Sequence, residues 1–172
     1  AIVLDFQHSI TEQSVVGLFM DRGPNFAALL LACSRLGAQA LPMPREYPPH
    51  RLLAILQSAN VRLILWEESV CGELKTAAEC VSVASLGSPP PGGPDSRISL
   101  DPRAGGLVLS SSGSTGVPKL IARSQVSFYH RLWYTWNEIP FAQGEQCLQK
   151  SHITTTHSFY EMMEPLLAGQ TL

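Results

Sequence analysis

Short apolar runs, each closed by turn residues and followed by a stretch with helical spacing, fill residues 15–66. Val15-Val16-Gly17-Leu18-Phe19-Met20 ends in Asp21-Arg22-Gly23-Pro24. Runs of this kind, bounded by turn formers, read as buried strands. Pro24 suits the first turn of a helix, where its missing N–H costs nothing. Phe26, Leu29, Leu30, Cys33 and Leu36 then recur at helical spacing, and Gly37 stands where a helix stops. Gln39-Ala40-Leu41-Pro42 predicts a second strand. Pro48 and Pro49 open a second helix with Leu52, Leu53, Leu56 and Ala59 on one face, and residues 61–66 predict a third strand. Strands that alternate with helices need crossover connections, so the fold class is α/β: a mainly parallel sheet layered with helices.

A proline- and glycine-rich stretch at about 85–106 interrupts this pattern. Its centre, Ser88-Pro89-Pro90-Pro91-Gly92-Gly93-Pro94-Asp95-Ser96, cannot pack a core. The strand–helix style resumes afterwards, so the stretch reads as a surface loop within one domain spanning 1–172. Leu107-Val108-Leu109 predicts a fourth strand, and Leu120-Ile121-Ala122 continues in extended form. Residues 125–137 predict a helix with Phe128, Leu132 and Trp136 four apart, and with Tyr129, Trp133 and Trp136 as a packing stripe. Thr154-Thr155-Thr156-His157 disfavours helix. Ser158 with Glu161 three later reads as a capping box. Phe159, Met162, Met163, Leu166 and Leu167 follow at helical spacing up to Gly169, and Pro165 predicts a kink. There is no internal repeat.

The run 110–119, Ser110-Ser111-Ser112-Gly113-Ser114-Thr115-Gly116-Val117-Pro118-Lys119, carries the chemistry. It places five hydroxyls, two glycines and one lysine in ten residues. Glycines let backbone N–H groups approach an anion, hydroxyls donate to phosphate oxygens, and lysine adds a mobile positive charge. Together these suit a polyphosphate. A Walker loop would end in Gly-Lys-Ser/Thr, but Pro118 precedes this lysine and Leu120 follows it. A nucleophile elbow needs Gly-x-Ser-x-Gly, which Gly113-Ser114-Thr115-Gly116 does not supply. The competing reading is a flexible Ser/Gly loop without a ligand. The flanking strands and Pro118 argue against it.

The run 111–119 resembles the AMP-binding signature of the acyl-adenylate-forming enzymes, which include acyl-CoA synthetases, luciferases and the adenylation domains of nonribosomal peptide synthetases. Two further stretches are similar to that family's motifs. One is Leu36-Gly37-Ala38-Gln39-Ala40-Leu41-Pro42-Met43-Pro44 with Tyr47-Pro48 and Arg51-Leu52. The other lies within 158–172 and includes Glu161, Leu166, Leu167, Gly169, Thr171 and Leu172. Gly144-Glu145-Gln146-Cys147-Leu148-Gln149-Lys150 looks closest to the peptide-synthetase-like branch. The resemblance implies part of the large N-terminal subdomain of an adenylate-forming enzyme. It implies activation of a carboxylic acid with ATP and Mg2+ as an acyl-adenylate, then transfer to a thiol of CoA or of a phosphopantetheine arm on an acyl-carrier domain. By the same resemblance Ser111, Ser112, Gly113, Ser114, Thr115, Gly116 and Lys119 would line the triphosphate, with Thr115 the foremost phosphate- or metal-linked hydroxyl. The alternative is a binding or scaffold module that keeps the fold without catalysis.

The sequence departs from the family pattern at several points. Leu120 stands where glycine is usual and Gln125 where histidine is common. Thr154-Thr155-Thr156-His157 replaces the Phe and Asp of peptide-synthetase relatives, and no carboxylate occurs between Gln146 and Ser158. A plain, aryl or β-amino acid therefore fits at least as well as an α-amino acid, with Thr155, Thr156 and His157 as candidate substrate residues. His157 reads equally as a plain loop residue. His8, His50, His130 and His152 are expected at the surface, Cys33, Met162 and Met163 in the core, and Glu161 as a cap rather than a base. No metal-ligand spacing joins the four cysteines.

The net charge of -2 argues against nucleic acid or a membrane surface as partner. No apolar run approaches the ~20 residues of a membrane span, and no basic segment with an apolar core opens the chain, so a cytoplasmic, reduced setting is expected. Charged residues are only 15%, against about 25% in ordinary soluble domains. With Ala1-Ile2-Val3-Leu4 at one end and Gly169-Gln170-Thr171-Leu172 at the other, the expectation is a piece of a longer enzyme that does not adenylate by itself.

Overall fold

The computed structural model describes residues 10–11, 14–69, 72–86, 104–111 and 118–172. Six strands form one sheet: β1 (Val15–Phe19), β2 (Gln39–Pro42), β3 (Leu63–Trp66), β4 (Glu79–Ser82), β5 (Gly106–Ser111) and β6 (Lys119–Ser124). Their order is β4-β3-β1-β2-β5-β6. The pairs β1–β2, β1–β3, β3–β4 and β2–β5 are parallel, and β5–β6 alone is antiparallel. The helices are α1 (Pro24–Arg35), α2 (Pro49–Ala59), α3 (Gly72–Ala77), α4 (Gln125–Glu138) and α5 (Thr156–Leu167). A 3-10 turn, Val83–Ser85, follows β4. Most of the proline-rich stretch at 85–106 lies outside the described residues.

Both faces of the parallel strands β1, β2, β3 and β5 are covered, as parallel pairing requires, whereas the antiparallel edge strand β6 is largely exposed. Successive strand residues alternate between the two faces. Val16, Leu18, Leu63, Leu65, Leu107 and Leu109 enter one core with Phe26, Leu29 and Leu30 of α1, Phe128 and Leu132 of α4, and Met162 and Met163 of α5. Phe19, Leu41, Ile64 and Val108 enter the other with Leu52, Ile55 and Leu56 of α2 and Leu74 of α3. Each fully buried leucine contributes roughly 1.5–3 kcal/mol. The element types of the sequence reading hold for residues 15–66, but α3 and β4 were not anticipated.

Local signals set the helix ends. Pro24 opens α1. Gly37, at φ +70°, closes it, while Ala38 N–H reaches Cys33 O at 2.9 Å and Gly37 N–H reaches Ser34 O at 3.1 Å. That pair of bonds satisfies carbonyls the helix would otherwise leave open. Gly169 (φ +74°) ends α5 in the same way, with Gln170 N–H on Pro165 O at 2.9 Å. Beyond it, Thr171 bridges Gln146 in parallel.

Two expectations need correction. The cap of α5 is Thr155, whose side chain accepts from Ser158 N–H, so Thr156 and His157 lie inside the helix and Ser158 with Glu161 is not a capping box. Pro165 lies inside α5, and the helix runs on past it to Leu167. On α4 the buried face is Phe128, Leu132 and Thr135, whereas Tyr129 and Trp133 are 60% and 52% exposed. Of the expected aromatic stripe only Trp136 packs, donating its indole N–H to Glu164 O at 2.9 Å.

Candidate functional site

In a parallel sheet the connections that follow the strands gather at the carboxyl edge, where ligands of open α/β sheets bind. Here that edge carries residues 20–23 after β1, 43–48 after β2, 67–69 after β3, and the end of β5. Arg45 holds three of these connections together through Asp21 at 3.2 Å and Glu68 at 2.6 Å. Asn25 adds a hydrogen bond to Glu67.

The run 110–119 is rooted at the same edge. Ser111 ends β5 and Lys119 begins β6 directly opposite it. Ser111 Oγ donates to Lys119 O at 3.4 Å. Ser112, Gly113, Ser114, Thr115 and Gly116 lie outside the described residues. By strand alternation Ser111 and Lys119 fall on the face that carries Leu107 and Leu109, the face covered by α5. Lys119 is exposed, and no carboxylate among the described residues pairs with its ammonium group. Among the described residues no group of three His, Cys, Asp or Glu side chains could hold a metal ion.

The amino end of α5 reaches this edge as well. Arg22, after β1, donates to Gln149 O at 2.9 Å. His152 Nε2 meets Glu46 Oε1, after β2, at 2.6 Å. Of the candidate substrate residues, Thr155 is committed locally: its hydroxyl donates to His152 O at 2.8 Å and accepts from Ser158 N–H at 3.2 Å. Thr156 is half-buried at the first position of α5, and His157 beside it is exposed. Unpaired N–H groups at such a helix start favour an anion. Thr156 and His157 therefore share one edge and one face of the sheet with Ser111 and Lys119.

Sequence reasoning missed the residues that hold this arrangement. Glu161 accepts from Lys150 N–H at 3.0 Å, Ser151 N–H at 2.8 Å and Ser151 Oγ at 2.7 Å. Burial pushes its carboxyl up, but the hydrogen bonds from Ser151 and Lys150 outweigh that and leave it below the usual carboxylate range. Gln149 Nε2 donates to Ser158 Oγ at 2.9 Å. The hydrogen bond from His152 holds the Glu46 carboxyl below its ordinary range. Cys33 is a buried apolar packer, as expected, its thiol pushed up to about 12 by burial. His152 is at the surface but engaged. No described helix is long and apolar enough to cross a membrane.

Comparison with known proteins shows the fold and the family of this chain. Vanchrobactin synthetase VabF of Vibrio anguillarum is 26% identical over 167 residues, covering 96% of this chain and 6% of that protein. Among solved structures, the Klebsiella oxytoca NpsA N-terminal subdomain in complex with 3-hydroxybenzoyl-AMSN superposes with a TM-score of 0.82 at 22% identity, over 99% of this chain and 43% of that one. The four-domain nonribosomal peptide synthetase AB3403, bound to AMP and glycine, gives 0.85 at 22% identity, over 99% of this chain and 13% of that one. The chain spans only 6% of VabF and 13% of the glycine betaine reductase ATRR of Emericella nidulans, a curated relative 30% identical over 96% of this chain. The fold is that of the N-terminal subdomain of adenylate-forming enzymes. The family model described as AMP-binding enzyme matches all of residues 1–172, and the chain belongs to that family.

Proposed function

We propose that residues 1–172 are part of one adenylation domain in a cytoplasmic enzyme that activates a carboxylic acid with ATP. The acid's carboxylate attacks the α-phosphate and pyrophosphate leaves; a thiol sulfur then attacks the acyl carbon of the acyl-adenylate, forming the thioester and releasing AMP. That thiol belongs to CoA or to phosphopantetheine on an acyl-carrier domain. One observation carries the reading: Ser111 and Lys119 are hydrogen-bonded neighbours at the carboxyl edge of the sheet, on the face where α5 begins. They anchor both ends of a run of hydroxyls and glycines.

Ser111, Ser112, Gly113, Ser114, Thr115, Gly116 and Lys119 hold the β- and γ-phosphates in this reading. Lys119, with no carboxylate partner among the described residues, is available to neutralise a departing pyrophosphate. Mg2+ would come bound to the nucleotide's phosphates, with a loop hydroxyl, foremost Thr115, as its protein ligand. The chain's own contribution is to orient the phosphates and stabilise charge. Thr156 and His157 at the start of α5 receive the acid. Thr155 supports them as the cap. The absence of a carboxylate between Gln146 and Ser158 favours a plain, aryl or β-amino acid over an α-amino acid.

Thermal unfolding with and without Mg-ATP tests this reading. A ligand at 100 times its Kd adds about 2.7 kcal/mol, and Lys119→Ala should remove most of that gain. An equal ATP-dependent shift in wild type and variant would overturn the loop assignment. The 172 residues alone, less than half the length of the matched subdomain, should not catalyse ATP–pyrophosphate exchange. The longer enzyme should. ATP binding without exchange in the longer protein would instead identify a non-catalytic module.

A further inference from the structure

We propose that Glu46 and His152 are positioning residues, joining the approach to α5 to the connection after β2 and so fixing Thr156 and His157 relative to the phosphate-binding end of β5. The inference rests on the acyl-activating reading of the site. Residues 149–155 are tied to α5 by Glu161 and Gln149, and those bonds move with the helix. Two side-chain hydrogen bonds reach across to the sheet edge. Arg22 grips Gln149 O, and His152 grips Glu46, 106 residues away in sequence. Ile153 is buried in the core below. Apolar burial sets the depth of the segment but has no preferred direction, whereas hydrogen-bond geometry supplies one.

The His152 ring is fixed from several sides. Thr154 N–H donates to Nδ1 at 3.4 Å, and the Thr154 hydroxyl lies 2.7 Å from the same nitrogen. With Nδ1 accepting from Thr154 N–H, Nε2 is the ring nitrogen left to donate to Glu46. The ring also stacks on Tyr47, with centroids 6.3 Å apart and planes 20° apart. Tyr47 in turn lies under Arg51, whose Cζ is 3.9 Å from the ring centroid. Arg45, next to Glu46, is clamped to Asp21 and Glu68. The acceptor thus stands on a braced connection, and the donor sits four residues before the first residue of α5.

Hydrogen exchange of Glu46→Ala and Glu46→Gln tests the role, together with acid-dependent ATP–pyrophosphate exchange by the longer enzyme using benzoate, hexanoate and β-alanine as probes. An exposed pair of this kind corresponds to about a two- to fivefold change. Glu46→Ala should speed amide exchange at 150–158 by that factor and leave β1 unchanged. It should raise KM for the acid by a similar factor without changing KM for ATP. Glu46→Gln keeps an acceptor for Nε2 and should restore most of both. Unchanged exchange at 150–158, an equal rise in β1, or an unchanged KM for the acid would each overturn the role. If wild type uses none of the three acids, that failure falls on the acyl-activating reading, and the exchange data still decide the tether.

Discussion

Replacing Glu161 should loosen the entrance to α5 and change how the protein responds to acid. Its carboxylate accepts three hydrogen bonds, two of them from the backbone N–H groups of Lys150 and Ser151. A hydrogen bond to a charged group contributes about 1.5–3 kcal/mol when well shielded. Glu161 and Ser151 are only half-buried, so water can replace part of each bond, and we expect about 1–2 kcal/mol in total for Glu161→Ala. In a chain of this size that lowers Tm by roughly 2–8 °C. Glu161→Gln keeps an acceptor oxygen but loses the charge, and should fall between wild type and Glu161→Ala. The folded carboxyl lies below its usual range. Its contribution is therefore present above the unfolded pKa and is lost as pH falls through the folded value. Urea unfolding at neutral and acid pH should show the Glu161→Gln deficit at neutral pH and its disappearance in acid. A deficit of the same size at both, or none at either, would refute the assignment of Glu161 as the charged acceptor for 150–151.

Three further substitutions probe separate parts of the fold. At Gly106, φ is +119° and a Cβ would stand 2.0 Å from Arg123 O. Gly106→Ala should therefore destabilise by more than about 3 kcal/mol, read as a lower urea midpoint, and a midpoint near wild type would show that β5 and β6 are not paired at this register. Thr155→Ala removes the α5 cap and should cost about 1 kcal/mol, whereas Ser158→Ala should not reproduce a capping loss in helix content by circular dichroism. The reverse pattern would restore Ser158 as the cap.

The parallel core was legible because its signals are local. Pro24 and Gly37 bracket α1 within the sequence, and the apolar runs of β1, β2 and β3 are buried on both faces. What escaped depends on distant partners. Glu79-Cys80-Val81-Ser82 is too short and too polar to announce β4, which becomes a strand by pairing with β3. The antiparallel direction of β6 is not written in residue type. On α4 the aromatic spacing was real, but the buried set is offset by one position, about 100° around the helix, because Phe128 meets Phe159 of α5 with ring centroids 4.1 Å apart. Four hydroxyl residues precede or open α5, and each is chemically able to cap it. Burial of Ile153 accompanies the choice of Thr155. In the candidate site, Ser111 and Lys119 stand close together in the run itself, whereas Glu46 and His152 meet only after the chain has folded.

The antiparallel pairing of β6 with β5 sets where the run between Ser111 and Lys119 leaves and rejoins the sheet. Six paired positions, from Gly106 with Ser124 to Ser111 with Lys119, hold the two strands in register. The run between them can change in length or chemistry at a modest entropic penalty, which grows only logarithmically with the number of links between fixed ends. Selection could therefore alter the residues between Ser111 and Lys119 while leaving the paired strands intact.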